Sequence, residues 1–420
     1  MPPAEMLRGR VRVPSSKSAT NRALVAAALT PSAVEILDPL ESDDTAALAR
    51  CLGAMGASIF PTRNGIRVAG PLAGDPGREI VLDAADSGTA ARFLAAVASV
   101  VPGRFLLTGS ARLRERPMRE LVDALRSAGA RISYRGAEGF LPLAIEGRAL
   151  RSSEITVDGS RSSQFVSAVL LAGLAVDGGV TVRVTGTPVS APYVAMTLEA
   201  LRDLGHEVRS GETFSVRRGP RAAASYEVPG DYSSAIPLLA AVAAASGQVT
   251  LAGLRPGSGD ADAAALPVLE RMGLSIHTGS EGLEASAERA APAKVDVDAR
   301  QFPDAVPALA ALAAFAEGAS RFRGIAHLRL KESDRIAALG QLLRAAGAEA
   351  REDADALTVV GPARGDAARV LPTFRDHRMA MAAAILAQRL PGILIEDPDC
   401  VAKSYPGFFR DLEGLRVRGR

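Results

Sequence analysis

The 420-residue sequence contains no tryptophan, and aromatic residues make up only 4% of it. A surface that stacks nucleic-acid bases on aromatic rings is therefore not expected. Cysteine is equally scarce. Cys51 and Cys400 stand far apart with no Cys-x-x-Cys pair, which excludes a disulfide scaffold and a thiolate zinc site and suits a reducing compartment. The histidines His206, His277, His327 and His377 are scattered without ligand spacing, so no metal is implied. Apolar runs such as AIPLLAAVAAA (235–245) fall short of the roughly 20 residues a membrane helix needs. The opening MPPAEMLRGR has no apolar signal core, so a cytoplasmic location is expected. There is no excess of charge either: 49 Lys and Arg stand against 47 Asp and Glu. Without a basic field the chain is not marked for nucleic acid. A Walker A sequence and a GxGxxG followed by an acidic residue are both absent, so neither nucleotide hydrolysis nor dinucleotide binding is suggested.

What the sequence does contain is a repeat. Ala/Leu-rich helical stretches, each opened by a small polar cluster, begin at Ser15, Ser87, Ser162, Ser233, Pro303 and Arg375, about 70 residues apart each time. A short β-like segment follows (RFLLTG, GVTVRVTG, GQVTLAG). Next comes an amphipathic helix ending near Gly (LVDALRSAGA, LGQLLRAAGA), then two more strand-like segments in most copies. The spacing predicts an α/β fold of six βαβαββ repeats, the sixth breaking off at the last residue. The first helix of each copy is apolar on nearly every face and belongs in a core; the second has a charged face and belongs outside. One such repeat cannot bury its own central helix well, whereas three can surround three. Two three-repeat domains are therefore expected: 14–228, and 1–13 with 229–420. The hinges fall near 12–15 and 227–231, and the strand LRGRVRVP is expected to cross between domains.

The polar starts carry the unusual residues: Lys17 and Ser18, Ser87-Gly88-Thr89, Ser162-Ser163-Gln164, Asp304, and His377-Arg378. A helix start has unpaired N–H groups and a partial positive charge, which suits anions and disfavours cations. Ser or Asp there is ordinarily an N-cap, but Lys17 and Arg22 gain nothing structurally from that position. A bound phosphate or carboxylate is the expected partner of both. In RLKESDRIAAL (329–339), Lys331 and Arg335 are read as i, i+4 like charges on one helix face, with Glu332 beside them and Ser333 or Asp334 as the cap. Arg116, Arg378 and Lys403 bring the cations to a number that fits two multiply charged anions.

The segments KSATNRAL, DSGTAARFL, RERPM, DGSRSSQF, PDAVPAL, LKESDRI, DHRMAM and AKSYPGFF occur in this order along the chain. In this the sequence resembles the 5-enolpyruvylshikimate-3-phosphate synthase family, also called 3-phosphoshikimate 1-carboxyvinyltransferases. The resemblance implies two inside-out α/β barrel domains of three βαβαββ units each. It implies transfer of the enolpyruvyl group of phosphoenolpyruvate to the 5-hydroxyl of shikimate 3-phosphate, through a tetrahedral intermediate in a cleft between the domains. Phosphate is released, and no cofactor or metal takes part. By motif, Lys17, Ser18, Arg22, Ser162, Ser163, Gln164, Ser190, Tyr193, Asp304, His327 and Lys331 correspond to the shikimate 3-phosphate site. Lys17, Gly88, Arg116, Gln164, Arg335, Arg378 and Lys403 correspond to the phosphoenolpyruvate site. Asp304 matches the base for the attacking hydroxyl and Glu332 the group that exchanges a proton with the methylene carbon, while Lys331 lies between the substrates and Lys17, also catalytic, reaches both. Asp86, Ser87, Phe93 and His327 depart from common patterns of the family, the first three beside the pocket for the inhibitor glyphosate. Gly88 keeps the space that inhibitor needs.

A sister family transfers enolpyruvyl to UDP-N-acetylglucosamine, but uses Lys-Asn where Lys17-Ser18 stands and commonly a loop cysteine absent from 103–119. A non-catalytic sensor of shikimate phosphate would need the cations but not Asp304 and Glu332, and a repeat scaffold would need neither. The nucleophilic histidine motif of RNA 3′-phosphate cyclases, which share related repeats, is missing. A monomer is expected, with small molecules as its only partners and with domains that close on anions.

Overall fold

The computed structural model describes residues 3–417 apart from 76, 221–222, 258–259, 289 and 366–367. Its chain separates into two compact units. One is Ser15–Val228; the other takes the residues up to Pro14 and those from Pro229 onward. Each unit has its own aliphatic core.

The cores form around helices whose composition leaves them no solvent face. Every residue of Gly88–Val100, Tyr232–Ala245, Val306–Ala313 and His377–Leu386 is buried. Lys17–Ala28 is buried from Ala19 on, and Ser163–Ala172 except at Gln164. Within each unit the three central helices pack on one another. Helices of the second kind behave as their pattern requires. Arg119–Ser127 turns Leu121, Val122, Ala124 and Leu125 inward and leaves Arg119, Asp123 and Arg126 outward.

Each full repeat contributes one four-stranded sheet. In the second, Glu79–Asp83 runs parallel to Gly103–Thr108, because a helix crosses over between them. Leu143–Gly147 then pairs antiparallel with Gly103–Thr108, and Arg131–Tyr134 closes the edge as a hairpin. The third and fifth repeats have the same order. The first and fourth repeats trade their opening strands. Leu7–Arg12 precedes the first central helix, yet it pairs parallel with Gly247–Ala252 of the fourth repeat. Ser225–Glu227 precedes the fourth central helix, yet it pairs with Val34–Leu37 of the first. The sixth repeat has a two-stranded sheet, Arg369–Leu371 with Ile393–Ile395, followed by the short helices Pro398–Lys403 and Phe408–Gly414. No helix among the described residues is long and apolar enough to cross a membrane.

Candidate functional site

In the Ser15–Val228 unit, Ser16 caps the first central helix by accepting from Ala19 N–H at 3.3 Å. Lys17 is the first helical residue, and its Nζ lies 3.1 Å from Asp44 Oδ2, a carboxylate that is 4% exposed. The charge that looked misplaced is thus answered within the protein, by an acid from the first turn of Asp43–Ala54. There the dipole of a second helix favours a carboxylate. Arg22 is likewise held by groups of its own unit. Its Nε donates to Thr197 Oγ1 at 2.7 Å, Nη1 to Ser18 O at 2.8 Å and Nη2 to Tyr193 O at 3.0 Å. The guanidinium stands 5.4 Å over the Phe93 ring. Hydroxyls, carbonyls and a ring face hold this guanidinium in place. Ser190, just ahead of the Pro192–Asp203 helix that carries Tyr193 and Thr197, is buried with a φ of 54°.

Ser87 caps the second central helix, accepting from Ala90 N–H at 3.2 Å. Buried Arg92, one turn on, donates to Gly88 O at 3.2 Å and Pro117 O at 3.0 Å. It thereby fastens the loop that carries Arg116 onto the helix start. Arg116 is 5% exposed, and a Cβ on Gly88 would collide with its guanidinium. Asp86 accepts from the Ser110 hydroxyl. Ser162 caps the third central helix by accepting from Gln164 N–H at 3.2 Å. Gln164 Nε2 in turn donates to Thr89 Oγ1 at 3.1 Å, joining the third helix start to the second, with Ser163 buried beside it.

The other unit gathers charge of both signs. Asp304, two residues ahead of Val306–Ala313, has Oδ1 2.8 Å from Arg335 Nη1 and 3.4 Å from Lys331 Nζ. Its Oδ2 is 3.8 Å from Arg378 Nη2. Arg335 is 1% exposed and also reaches Glu332 Oε2 at 3.0 Å and Asp376 Oδ2 at 2.9 Å. Asp376 is wholly buried. It caps His377–Leu386 through Arg378 N–H at 2.9 Å and accepts from the Ser333 hydroxyl at 3.0 Å. Arg378 grips Ser233 through both its carbonyl and its hydroxyl. The Ser233 and Ser234 hydroxyls donate to Asp231, which caps Tyr232–Ala245. A continuous chain of polar contacts therefore links the three central helix starts of this unit.

The expectation that Lys331 and Arg335 stack on one helix face is corrected. The helix begins only at Arg335, with Asp334 as its cap, and Lys331 follows the 3-10 turn Ala326–Leu330. Both cations turn to the same oxygen of Asp304, which removes their repulsion. Burial works against charge on Asp304, but Lys331, Arg335 and Arg378 outweigh it and hold its carboxyl well below the usual range. Burial likewise works against Arg335, which Asp376, Glu332 and Asp304 keep firmly charged. His327 is 7% exposed. Burial, then Lys331, pulls its pKa down to about 4, so it is neutral near pH 7, and its Nε2 has no partner among the described residues. Lys403, also buried, ends the Pro398–Lys403 turn, which packs on the His377–Leu386 helix.

Asp44, Arg92, Asp231, Ser233 and Asp376 belong to these clusters without having been singled out as site residues from the sequence. Asp376 and Arg92 lie inside quoted motifs, and Asp231 and Ser233 open a central helix, so position alone could have drawn attention to them. Asp44 is indistinguishable in sequence from Asp43, since acids are common in any first helical turn.

Two units of three repeats, with buried cations at the central helix starts, define an α/β protein of the two-domain inside-out barrel class. A family profile described as EPSP synthase (3-phosphoshikimate 1-carboxyvinyltransferase) matches residues 2–412. A 3-phosphoshikimate 1-carboxyvinyltransferase of Sulfurovum sp. (strain NBC37-1) is 37% identical, over 98% of this chain and 98% of the relative. One of Methanoculleus marisnigri is 40% identical over 96% and 95%. Among solved structures, the EPSP synthase of Acinetobacter baumannii superposes with a TM-score of 0.79 at 26% identity, covering 99% of this chain and 97% of that one. The enolpyruvyl transferase NikO of Streptomyces tendae, at 23% identity and a TM-score of 0.75 over 99% and 96%, shares the fold. The chain belongs to the EPSP synthase family.

Proposed function

We propose that this chain carries out the transfer that goes with the family. The enolpyruvyl group of phosphoenolpyruvate passes to the 5-hydroxyl of shikimate 3-phosphate and inorganic phosphate leaves, as a step of aromatic biosynthesis. Lys17, Ser18, Arg22, Ser162, Ser163, Gln164, Ser190, Tyr193 and His327 hold shikimate 3-phosphate. Gly88, Arg116, Arg335, Arg378 and Lys403 hold phosphoenolpyruvate, with Lys17 and Gln164 reaching both substrates. The working unit is a cytoplasmic monomer.

In the addition step the hydroxyl oxygen bonds to C2 of phosphoenolpyruvate, its proton leaves, and C3 gains a proton to become a methyl group. In the elimination step the C2–O bond to phosphate breaks and C3 loses a proton. Asp304 takes the hydroxyl proton. Its three cations make it a weak base, but each arriving anion draws on those same cations and raises the carboxylate's proton affinity. Glu332 serves C3. A substrate carboxylate that takes an N–H of Arg335 loosens the 3.0 Å contact to Glu332 and favours its protonated, proton-donating form. Lys331, between the reactants, stabilises negative charge and holds two mutually repelling anions in place, which can supply several kcal/mol of the barrier reduction.

The observation that carries this reading is the Asp304 carboxylate, within 4 Å of Lys331, Arg335 and Arg378. Besides balancing these cations, this carboxylate stands where the attacking hydroxyl's proton needs an acceptor. The test is phosphate release from phosphoenolpyruvate with shikimate 3-phosphate, with UDP-N-acetylglucosamine, or with no acceptor. Release that depends on shikimate 3-phosphate and is lost in Lys17→Ala is expected. Release with the nucleotide sugar alone would assign the chain to the sister activity.

A further inference from the structure

The Tyr232–Ala245 helix contains a proline, Pro237, at full burial in an otherwise unbroken apolar run. A proline inside a helix lacks the N–H that would bond the carbonyl four residues back, and its ring pushes against that carbonyl; the usual penalty is ~3 kcal/mol. Four residues before Pro237 stands Ser233. The Ser233 carbonyl is the acceptor for Arg378 Nη1, while the Ser233 hydroxyl takes Arg378 Nη2 at 2.5 Å. The one carbonyl that the proline deprives of its helical donor is thus the one that receives a guanidinium from the neighbouring central helix.

We infer that Pro237 is a positioning residue for the reaction, acting through Arg378: by withholding an N–H from the Ser233 carbonyl, it leaves that oxygen free to hold the guanidinium. Three observations support it. Arg378 is 2% exposed, so its donors must be satisfied by protein or by substrate. The grip has two prongs on one residue, which fixes the plane of the guanidinium as well as its place. The same guanidinium lies 3.8 Å from Asp304 Oδ2, so its orientation is felt where the proton is handled. A helical N–H at position 237 would compete for the Ser233 carbonyl and draw it back toward the helix axis. Pro307, by contrast, sits in the first turn of Val306–Ala313, where no helical bond is expected of its nitrogen, and frees no carbonyl.

The inference rests on the proposed role of Arg378 in holding phosphoenolpyruvate. Its test compares Pro237→Ala and Pro237→Val with Pro307→Ala. The valine guards against an effect of lost volume, since it restores the N–H and keeps most of the bulk. Melting temperature and the separate KM values for phosphoenolpyruvate and shikimate 3-phosphate are measured. Pro237→Val is expected to melt at or above the wild-type temperature, as a restored helical bond favours, while Pro237→Ala also bears its lost volume. Their KM for phosphoenolpyruvate should rise about three- to tenfold, as for a weakened charged contact, while KM for shikimate 3-phosphate and the behaviour of Pro307→Ala stay at wild type. Damaged packing would instead lower the melting temperature and move both KM values, and that result overturns the inference. So does a wild-type or lowered KM for phosphoenolpyruvate in both Pro237 variants. Wild-type protein that neither turns over nor is thermally stabilised by phosphoenolpyruvate would remove the proposed function and this inference with it.

Discussion

Gly88 and Arg116 show how little space separates a structural residue from a functional one. The nearest atoms a methyl group at Gly88 would meet all belong to the guanidinium of Arg116, the far end of a flexible side chain. The fold can therefore absorb Gly88→Ala by moving that arginine. The expected result is an unchanged melting temperature with KM for phosphoenolpyruvate raised about tenfold, the scale of one displaced charged contact. Titration of single residues gives a second expectation. Burial lowers the pKa of both His327 and His206 to about 4, against an unfolded value near 6.5. As pH falls from about 6.5 toward 4, the unfolded chain takes up protons that the folded chain refuses, so stability declines across that window. Replacing His206 with Gln should flatten the decline in denaturant titrations made at several pH values. At this scale the sequence exposed the cations, because charge at an apolar helix start contradicts local preference. It could not expose Asp44, whose importance lies in facing Lys17 from another helix, or the inward turn of Arg22, whose partners Thr197 and Tyr193 lie far along the chain.

Helix starts were the most legible elements. Ser16, Ser87 and Ser162 cap as their residue types suggest. The cap at the fourth central helix is Asp231, one position ahead of the Tyr232 that opens the helix, and it takes the hydroxyls of both Ser233 and Ser234. Ser87 is fully buried and accepts only locally. Ser87→Ala should therefore lower stability by ~1 kcal/mol, read as a shift in the urea midpoint, with KM for shikimate 3-phosphate unmoved. The Lys331 segment was misread for a physical reason. Ser333 and Asp334 can both cap by residue type; Asp334 does so, accepting from Ala337 N–H, which starts the helix at Arg335 and leaves Lys331 outside it.

For the whole molecule, the repeat period was enough to predict the α/β architecture, because each period places an all-apolar helix that needs a core. Period alone does not say which sheet a strand joins. The exchange of Leu7–Arg12 and Ser225–Glu227 between the first and fourth repeats depends on pairing across about half the chain. Leu7, close to the start of the sequence, is consequently wholly buried in the core of the unit that runs from Pro229 onward. Leu7→Ala is expected to cost about 2–5 kcal/mol in chemical denaturation, far more than a residue in a loose terminal arm would.

The addition and elimination steps make a demand that acceptor-dependent phosphate release does not test: C3 of phosphoenolpyruvate must gain a solvent-derived proton and lose one again. The most direct measurement is proton NMR of the reaction run in heavy water with phosphoenolpyruvate and shikimate 3-phosphate. The account predicts an enolpyruvyl ether carrying deuterium at its methylene carbon, formed as phosphate appears, with both signals lost in Asp304→Asn. Phosphate released without that ether, or an ether whose methylene stays free of deuterium, would contradict it.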